Sequence, residues 1–93
     1  MATHAVRFDV ACDQAAENLG GYEMIDDSLA PFLNGLHHNP QGFRIVDAFW
    51  GRVRCIPTIA IGDLPALIWY FVIEAKGDVL ITQVERYDDA VDY

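Results

Sequence analysis

The sequence predicts an α+β domain in two layers: an N-terminal strand, a helical hairpin, and then an antiparallel sheet of three or four strands. Three observations carry this prediction. The chain has an alternating segment near its start, an apolar stripe at helical spacing after it, and a hairpin signal in its last third. With 93 residues, the chain can bury one core without disulfides or metal, so residues 1–93 are expected to form a single domain.

The first two elements are predicted to be a strand and a short helix. Residues 6–11 alternate between apolar and polar, which places Val6, Phe8 and Val10 on one face of a half-buried strand. Asp13 then offers an N-cap for a short helix over QAAENL, and the following pair of glycines, at positions 20 and 21, is expected to end that helix.

The second helix is predicted from an apolar stripe at i, i+3, i+4 and i+7, formed by Leu29, Phe32, Leu33 and Leu36. Proline is tolerated only in the first turn of a helix, so Pro31 places the N-cap near Asp27 or Ser28. One bent helix from Gln14 onward fits the same pattern. Pro40 is expected to stop the helix.

A hairpin over residues 67–87 organises the rest of the chain. Its first run, LIWYFVI, puts apolar side chains on both faces, as in a central strand covered on both sides. Its second run, VLITQVERY, becomes polar from Gln83, so Arg86 and Tyr87 are expected where the strand leaves the core. Before the hairpin, residues 42–50 are extended, and residues 52–61 form a strand that Pro57 either places at a sheet edge or bends.

Composition limits the function classes. The net charge of −8 argues against general nucleic-acid binding, which depends on neutralising phosphates with Lys and Arg. Any polyanion contact must therefore be local and use the arginines of the second half. Two cysteines are too few for a disulfide scaffold and no signal peptide is evident, so a reducing, cytoplasmic location without membrane attachment is expected. Cys and His show no metal-ligand spacing, and no cofactor is expected.

Three sequence features together resemble a known family. The helical region ends in HHNPQG, an extended piece runs into WGRVRCI, and the hairpin reads LIWYFVIEAKGDVLITQVERY. Over residues 6–87 this order is similar to the RelE/ParE superfamily of toxins from type II toxin–antitoxin systems. The resemblance implies a toxin held inactive by a cognate antitoxin protein. In the ribonuclease branch it further implies a metal-free endoribonuclease that cuts mRNA on the ribosome, where the RNA's own 2′-hydroxyl attacks the adjacent phosphate.

The same resemblance implies a site. By position, Arg54, Arg86 and Tyr87 are similar to the catalytic group, and Arg52 and Arg44 to substrate-binding residues. The chemistry is compatible, because fixed guanidinium groups match phosphate oxygens in pairs and stabilise developing negative charge. A tyrosine can also stack on an unpaired base.

The chain departs from the family in its charge, and other interpretations stay open. Ribosome-dependent members are usually basic, whereas this chain is acidic and places three aspartates directly after the predicted site. Arg52 and Arg54 could instead be surface residues paired with Glu74, Glu85 or the final aspartates. The alternative functions are a non-catalytic interaction module that forms a homodimer, and a dimeric α+β barrel protein that binds a small ligand between its sheet and helices.

Overall fold

The structure, a computed structural model, describes residues 4–46, 53–60 and 62–87. One strand and three helices come first: β1 (Val6–Phe8), α1 (Val10–Asn18), α2 (Tyr22–Leu29) and, after a 3₁₀ turn at Ala30–Phe32, α3 (Leu33–His38). A second 3₁₀ turn at Pro40–Gly42 leads into four strands: β2 (Arg44–Val46), β3 (Val53–Pro57), β4 (Leu67–Ile73) and β5 (Val79–Arg86). The predicted α+β class and order of elements are confirmed.

Over the described residues, the sheet has five strands in the order β1-β5-β4-β3-β2. Strands β2 to β5 form the predicted antiparallel series, whereas β1 lies parallel to β5, with Val6 opposite Val79. The sheet is therefore mixed and larger than predicted. Strand β3 lies between β2 and β4, so it is not an edge strand, and Pro57 is tolerated because it is the last residue of β3.

The hairpin between β4 and β5 is confirmed as the centre of the sheet. Its turn requires glycine, because Gly77 has a φ of 94°, a conformation that other residues rarely adopt. The Glu74 N–H donates to the Asp78 carbonyl over 2.8 Å and closes the turn. One register shift lies at Tyr70/Phe71 in β4, where β5 carries an extra residue, Thr82.

The helix boundaries differ from the prediction in two places. The first helix begins at Val10 rather than after Asp13, so β1 ends at Phe8 and Val10 is exposed instead of sharing its face. The second helix begins at Tyr22, not near Asp27, and the chain stays helical past Pro31 by tightening into a 3₁₀ turn. None of the helices that the structure describes is long and apolar enough to cross a membrane.

The three described helices pack on one face of the sheet. Their buried side chains meet Trp69 and Phe71 of β4 in the main core, which also contains Cys12, Ala16, Ile25, Leu29, Leu36, Ile56, Leu67, Val79, Ile81 and Val84. The Trp69 Nε1–H donates to the Ser28 hydroxyl over 2.9 Å, and that hydroxyl donates to the Ile25 carbonyl over 2.6 Å. These bonds satisfy the buried polar groups that join α2 to the sheet.

The opposite face of the sheet carries a second apolar cluster, which we call the open face. It consists of Val46, Val53, Cys55, Ile68, Tyr70, Val72 and Leu80, which share this face by strand register. Val46, Cys55 and Tyr70 are buried, and the other four side chains are half-buried. No helical side chain among the described residues belongs to this cluster. The sheet is therefore apolar on both faces but packed by helices on one.

Candidate functional site

Arg54 lies on β3 opposite Phe71, so its side chain is on the helix-bearing face of the sheet. Its Nη1 donates to the Phe43 carbonyl over 2.8 Å and to the Gln41 carbonyl over 3.0 Å. Both acceptors belong to the connection that leads from α3 into β2. The guanidinium thus holds this connection against the sheet, a structural use that the alternation of β3 alone did not reveal.

Arg86 and Tyr87 lie at the opposite end of the hairpin from its turn. Arg86 is opposite Leu67, and the Tyr87 N–H donates to the Ala66 carbonyl over 3.0 Å. Both side chains are exposed, with 51% of the Tyr87 side chain accessible to solvent. Within the described residues, no carboxylate forms an ion pair with Arg86. The end of β5 thus reaches solvent, as its polar residues from Gln83 onward predicted.

The structure does not bring Arg54 to Arg86. Their partners on β4, Phe71 and Leu67, are four residues apart, and β3 and β5 lie on opposite sides of β4. Standard strand dimensions then separate the two Cα atoms by about 16 Å. The Arg54 guanidinium also bonds toward the connection before β2, away from β5. One phosphate group therefore cannot contact both guanidinium groups in this arrangement.

The two predicted substrate-binding arginines have different positions. Arg44 pairs with Cys55 in register, which places it on the open face and not on the face of Arg54. Its positive charge lowers the pKa of the Cys55 thiol, although burial of that thiol has the larger effect and raises its pKa. Arg52 lies outside the described residues.

Polar groups on the open face are paired with one another. The Tyr70 hydroxyl donates to Glu85 Oε1 over 2.6 Å, and Arg7 forms an ion pair with Glu74. Glu74 and Glu85, which the sequence offered as partners for Arg52 and Arg54, are thus engaged by other residues, and the final aspartates lie outside the described residues. Sequence reasoning missed both pairs because they join strands whose register is not readable from the chain.

A third polar cluster, not predicted, links α1 to α2. The Tyr22 hydroxyl donates to Asp13 Oδ1 over 2.6 Å beside the buried Cys12 thiol. Burial raises the pKa of Tyr22, and its hydrogen bond to Asp13 adds to the effect. Burial is also the largest effect on the pKa of Cys12 and raises it; the hydrogen bond with Tyr22 comes next and lowers it, and the charges of Asp13 and Asp9 raise it further. Cys12 is therefore a protonated thiol with little nucleophilic character.

A cleft of about 320 Å³ lies between β1 and the helical stretch formed by α2, the following 3₁₀ turn and the start of α3. Its lining combines apolar and acidic side chains: Phe8, Tyr22, Asp26, Asp27, Leu29, Ala30 and Leu33. None of the predicted site residues lines it. In the described parts of the chain, no three His, Cys, Asp or Glu side chains gather as metal ligands would.

Comparisons with protein-family models, with curated proteins and with solved structures find no match for this chain.

Proposed function

We propose that this protein is a toxin-like member of a type II toxin–antitoxin pair that acts in the cytoplasm by binding other proteins. The single observation that carries the proposal is the open face, an apolar sheet surface with no described helix packed on it. An antitoxin helix or strand laid across this face would remove its half-buried apolar side chains from water. The order of strand, helices and antiparallel strands supports the toxin-like class.

Protein binding accounts for the side chains better than RNA cleavage does. Arg54 is occupied by two backbone carbonyls, and Arg7 is occupied by Glu74. The net charge of −8 also opposes the approach of RNA phosphates. An apolar sheet face that also carries the Arg7–Glu74 ion pair and the Tyr70–Glu85 hydrogen bond instead suits a protein partner whose contacts are apolar at the centre and polar at the rim.

The test is co-expression with the product of the neighbouring gene, followed by purification through a tag on that product. We expect this chain to co-purify, and to arrest growth when expressed without the partner. The open-face variant Val72→Thr/Leu80→Thr should weaken the complex, because threonine preserves the strand while removing apolar contact area. Met24→Thr, which removes an exposed apolar side chain on α2, is the matched control.

A homodimer is the competing explanation for the open face. Sedimentation of the purified chain alone distinguishes the two, because a stable dimer would bury the same apolar residues without any second protein. If the chain forms a dimer that Val72→Thr/Leu80→Thr dissociates, and Met24→Thr leaves that dimer intact, a non-catalytic homodimer module replaces the proposal. Harmless expression together with failure to co-purify would count against the toxin-like class.

A metal-free endoribonuclease is the second candidate, and the exposure of Arg86 and Tyr87 at the end of β5 is the observation that favours it. These two residues would have to act without Arg54. Ribosomes translating a defined mRNA provide the assay. The candidate would be supported if the wild-type protein cleaves the mRNA, Arg86→Ala and Tyr87→Phe each abolish cleavage, and Arg54→Lys retains it. Intact mRNA with the wild-type protein would exclude the candidate.

A further inference from the structure

The cleft between β1 and α2 has aromatic walls. Phe8 packs edge-to-face on Tyr22, with ring centroids 5.0 Å apart, and on Trp69 at 6.4 Å. Its side chain nevertheless remains 41% exposed, because the cleft opens beside it. Tyr22 is fixed in turn by its hydrogen bond to Asp13. The aromatic surface facing the cleft is therefore held in place before any ligand arrives.

The floor of the cleft is aliphatic and its rim is acidic. Leu29 and Leu33 are contributed by α2 and α3, while Asp26 and Asp27 are exposed carboxylates on α2. Within the described residues, neither carboxylate has a side-chain partner. The only Lys or Arg among residues 1–42 is Arg7, which is paired with Glu74. The lining of the cleft thus contains two unpaired carboxylates and no Lys or Arg.

We propose that this cleft binds a basic peptide segment of a partner protein, with an arginine next to an aliphatic residue. The aliphatic side chain fits the floor formed by Leu29 and Leu33. The guanidinium stacks on the face of the exposed Phe8 ring and donates hydrogen bonds to the rim carboxylates. A volume of about 320 Å³ is at the lower end of the range for ligand pockets, as suits a few side chains.

Charge complementarity decides between this occupant and the others. A second copy of this chain is strongly acidic and would bring like charge to Asp26 and Asp27. An acidic or phosphorylated segment is disfavoured for the same reason. The cleft lies on the helix-bearing side of the sheet, away from the open face, so this proposal does not rest on the function proposed above.

The test is fluorescence anisotropy of the full chain with a labelled peptide, Gly-Ser-Leu-Arg-Leu-Ser-Gly, at physiological ionic strength. Asp26→Asn/Asp27→Asn should raise the Kd of the peptide about tenfold, as expected for losing charged hydrogen bonds. The matched control is Glu17→Gln/Asp63→Asn, which removes the same charge from exposed positions outside the cleft. This control should change the Kd by less than about twofold, because exposed charges at a distance are screened by salt.

Two further arms test the apolar half of the site. Replacing both leucines of the peptide by serine should raise the Kd about tenfold, since their burial supplies apolar contact. Ala30→Phe, on the wall of the cleft, should fill the cleft and abolish binding while the far-UV circular dichroism stays unchanged.

Several results would overturn the proposal. Equal weakening by the two charge variants would show that only net charge attracts the peptide. Unchanged binding to Ala30→Phe would place the peptide elsewhere. Acetyl-arginine methyl ester binding as tightly as the peptide would mean that the cleft takes a small organic cation. A dimer that Ala30→Phe dissociates would mean that a second copy fills it.

Discussion

At the scale of the residue, Arg54 shows how a charged side chain can serve the fold. Its guanidinium satisfies two backbone carbonyls of the segment before β2, which has only the short 3₁₀ turn Pro40–Gly42 to bond within itself. Hydrogen bonds from a charged donor are stronger than those from a neutral one. The position therefore links β3 to the connection between the helical layer and the sheet.

Arg54→Ala is expected to lower the free energy of unfolding by about 1–3 kcal/mol, because two carbonyls lose a charged donor. Urea unfolding followed by circular dichroism provides the measurement. Arg86→Ala is the control, and it should change the free energy of unfolding by no more than about 0.5 kcal/mol because its side chain is exposed. Equal values for the two variants would show that the Arg54 bonds add no stability.

The buried thiols make stability depend on alkaline pH. Burial raises the pKa of both Cys12 and Cys55 above the ordinary thiol value of 9.0. From that pH upward the unfolded chain releases protons that the native chain still holds, so the free energy of unfolding falls as pH rises. Below it both states are protonated and this contribution is fully present.

Urea unfolding at a series of pH values, from about pH 8 to about pH 10.5, would measure that fall. The Cys12→Ala variant should start from a lower stability, because it leaves a small cavity. Its stability should nevertheless decline less steeply with pH than that of the wild type. Parallel pH profiles for the two proteins would contradict the assignment to Cys12.

The sequence could predict which residues alternate on β3 but not which face the helices cover. Val53 and Cys55 do share one face, and Arg54 and Ile56 the other. Alternation on β3 favours burial of the face with Val53 and Cys55, yet β4 is apolar on both sides, so hydrophobicity alone does not choose between the faces. The bonds of Arg54 depend on that choice. The structural role of Arg54 could therefore not be predicted from the sequence.

At the scale of the element, turn residues decide where strands and helices begin. The hairpin and the helix stop at Asn39 were predictable because glycine and proline have strong local effects. The start of α2 was not, because Pro31 was expected to lie in a first turn. A 3₁₀ turn instead absorbs the proline within a longer helical stretch.

Gly77→Ala is expected to destabilise the hairpin by about 1–2 kcal/mol, since φ of 94° is strained for a residue with a Cβ. The cost should come from the backbone, because the added Cβ would meet its nearest neighbour, His4 Nδ1, at an ordinary 3.5 Å. Thermal unfolding measures the effect, and Lys76→Ala in the same turn is the control. A wild-type melting temperature for Gly77→Ala would refute the strain argument.

At the scale of the whole molecule, the sheet joins distant parts of the chain. His4 bonds to the carbonyl of Gly77 across 73 positions, and β1 pairs along β5 beside it. Forming contacts this far apart in sequence closes a long loop, which costs conformational entropy before the contacts add stability. The class of fold was predictable from element order, whereas the pairing of β1 with β5 was not, because no local pattern specifies a parallel partner.

Refolding is therefore expected in milliseconds to seconds rather than microseconds, as for domains with many non-local contacts. Stopped-flow dilution from urea with tryptophan fluorescence would measure the rate. Because the pairing of β1 with β5 closes the longest loop in the sheet, we expect β1 to dock late in folding. Substituting Val6 by Ala should therefore mainly accelerate unfolding. A large decrease in the refolding rate for that variant would place β1 in the folding nucleus instead.

The position of β1 has a consequence during translation. The first strand emerges from the ribosome long before its only neighbour in the described sheet, β5, has been synthesised. Until then Phe8 and the helices behind it have no completed surface to pack on, so these segments of the nascent polypeptide stay exposed. A chaperone that binds this segment on the ribosome would cover its apolar side chains until β5 is complete.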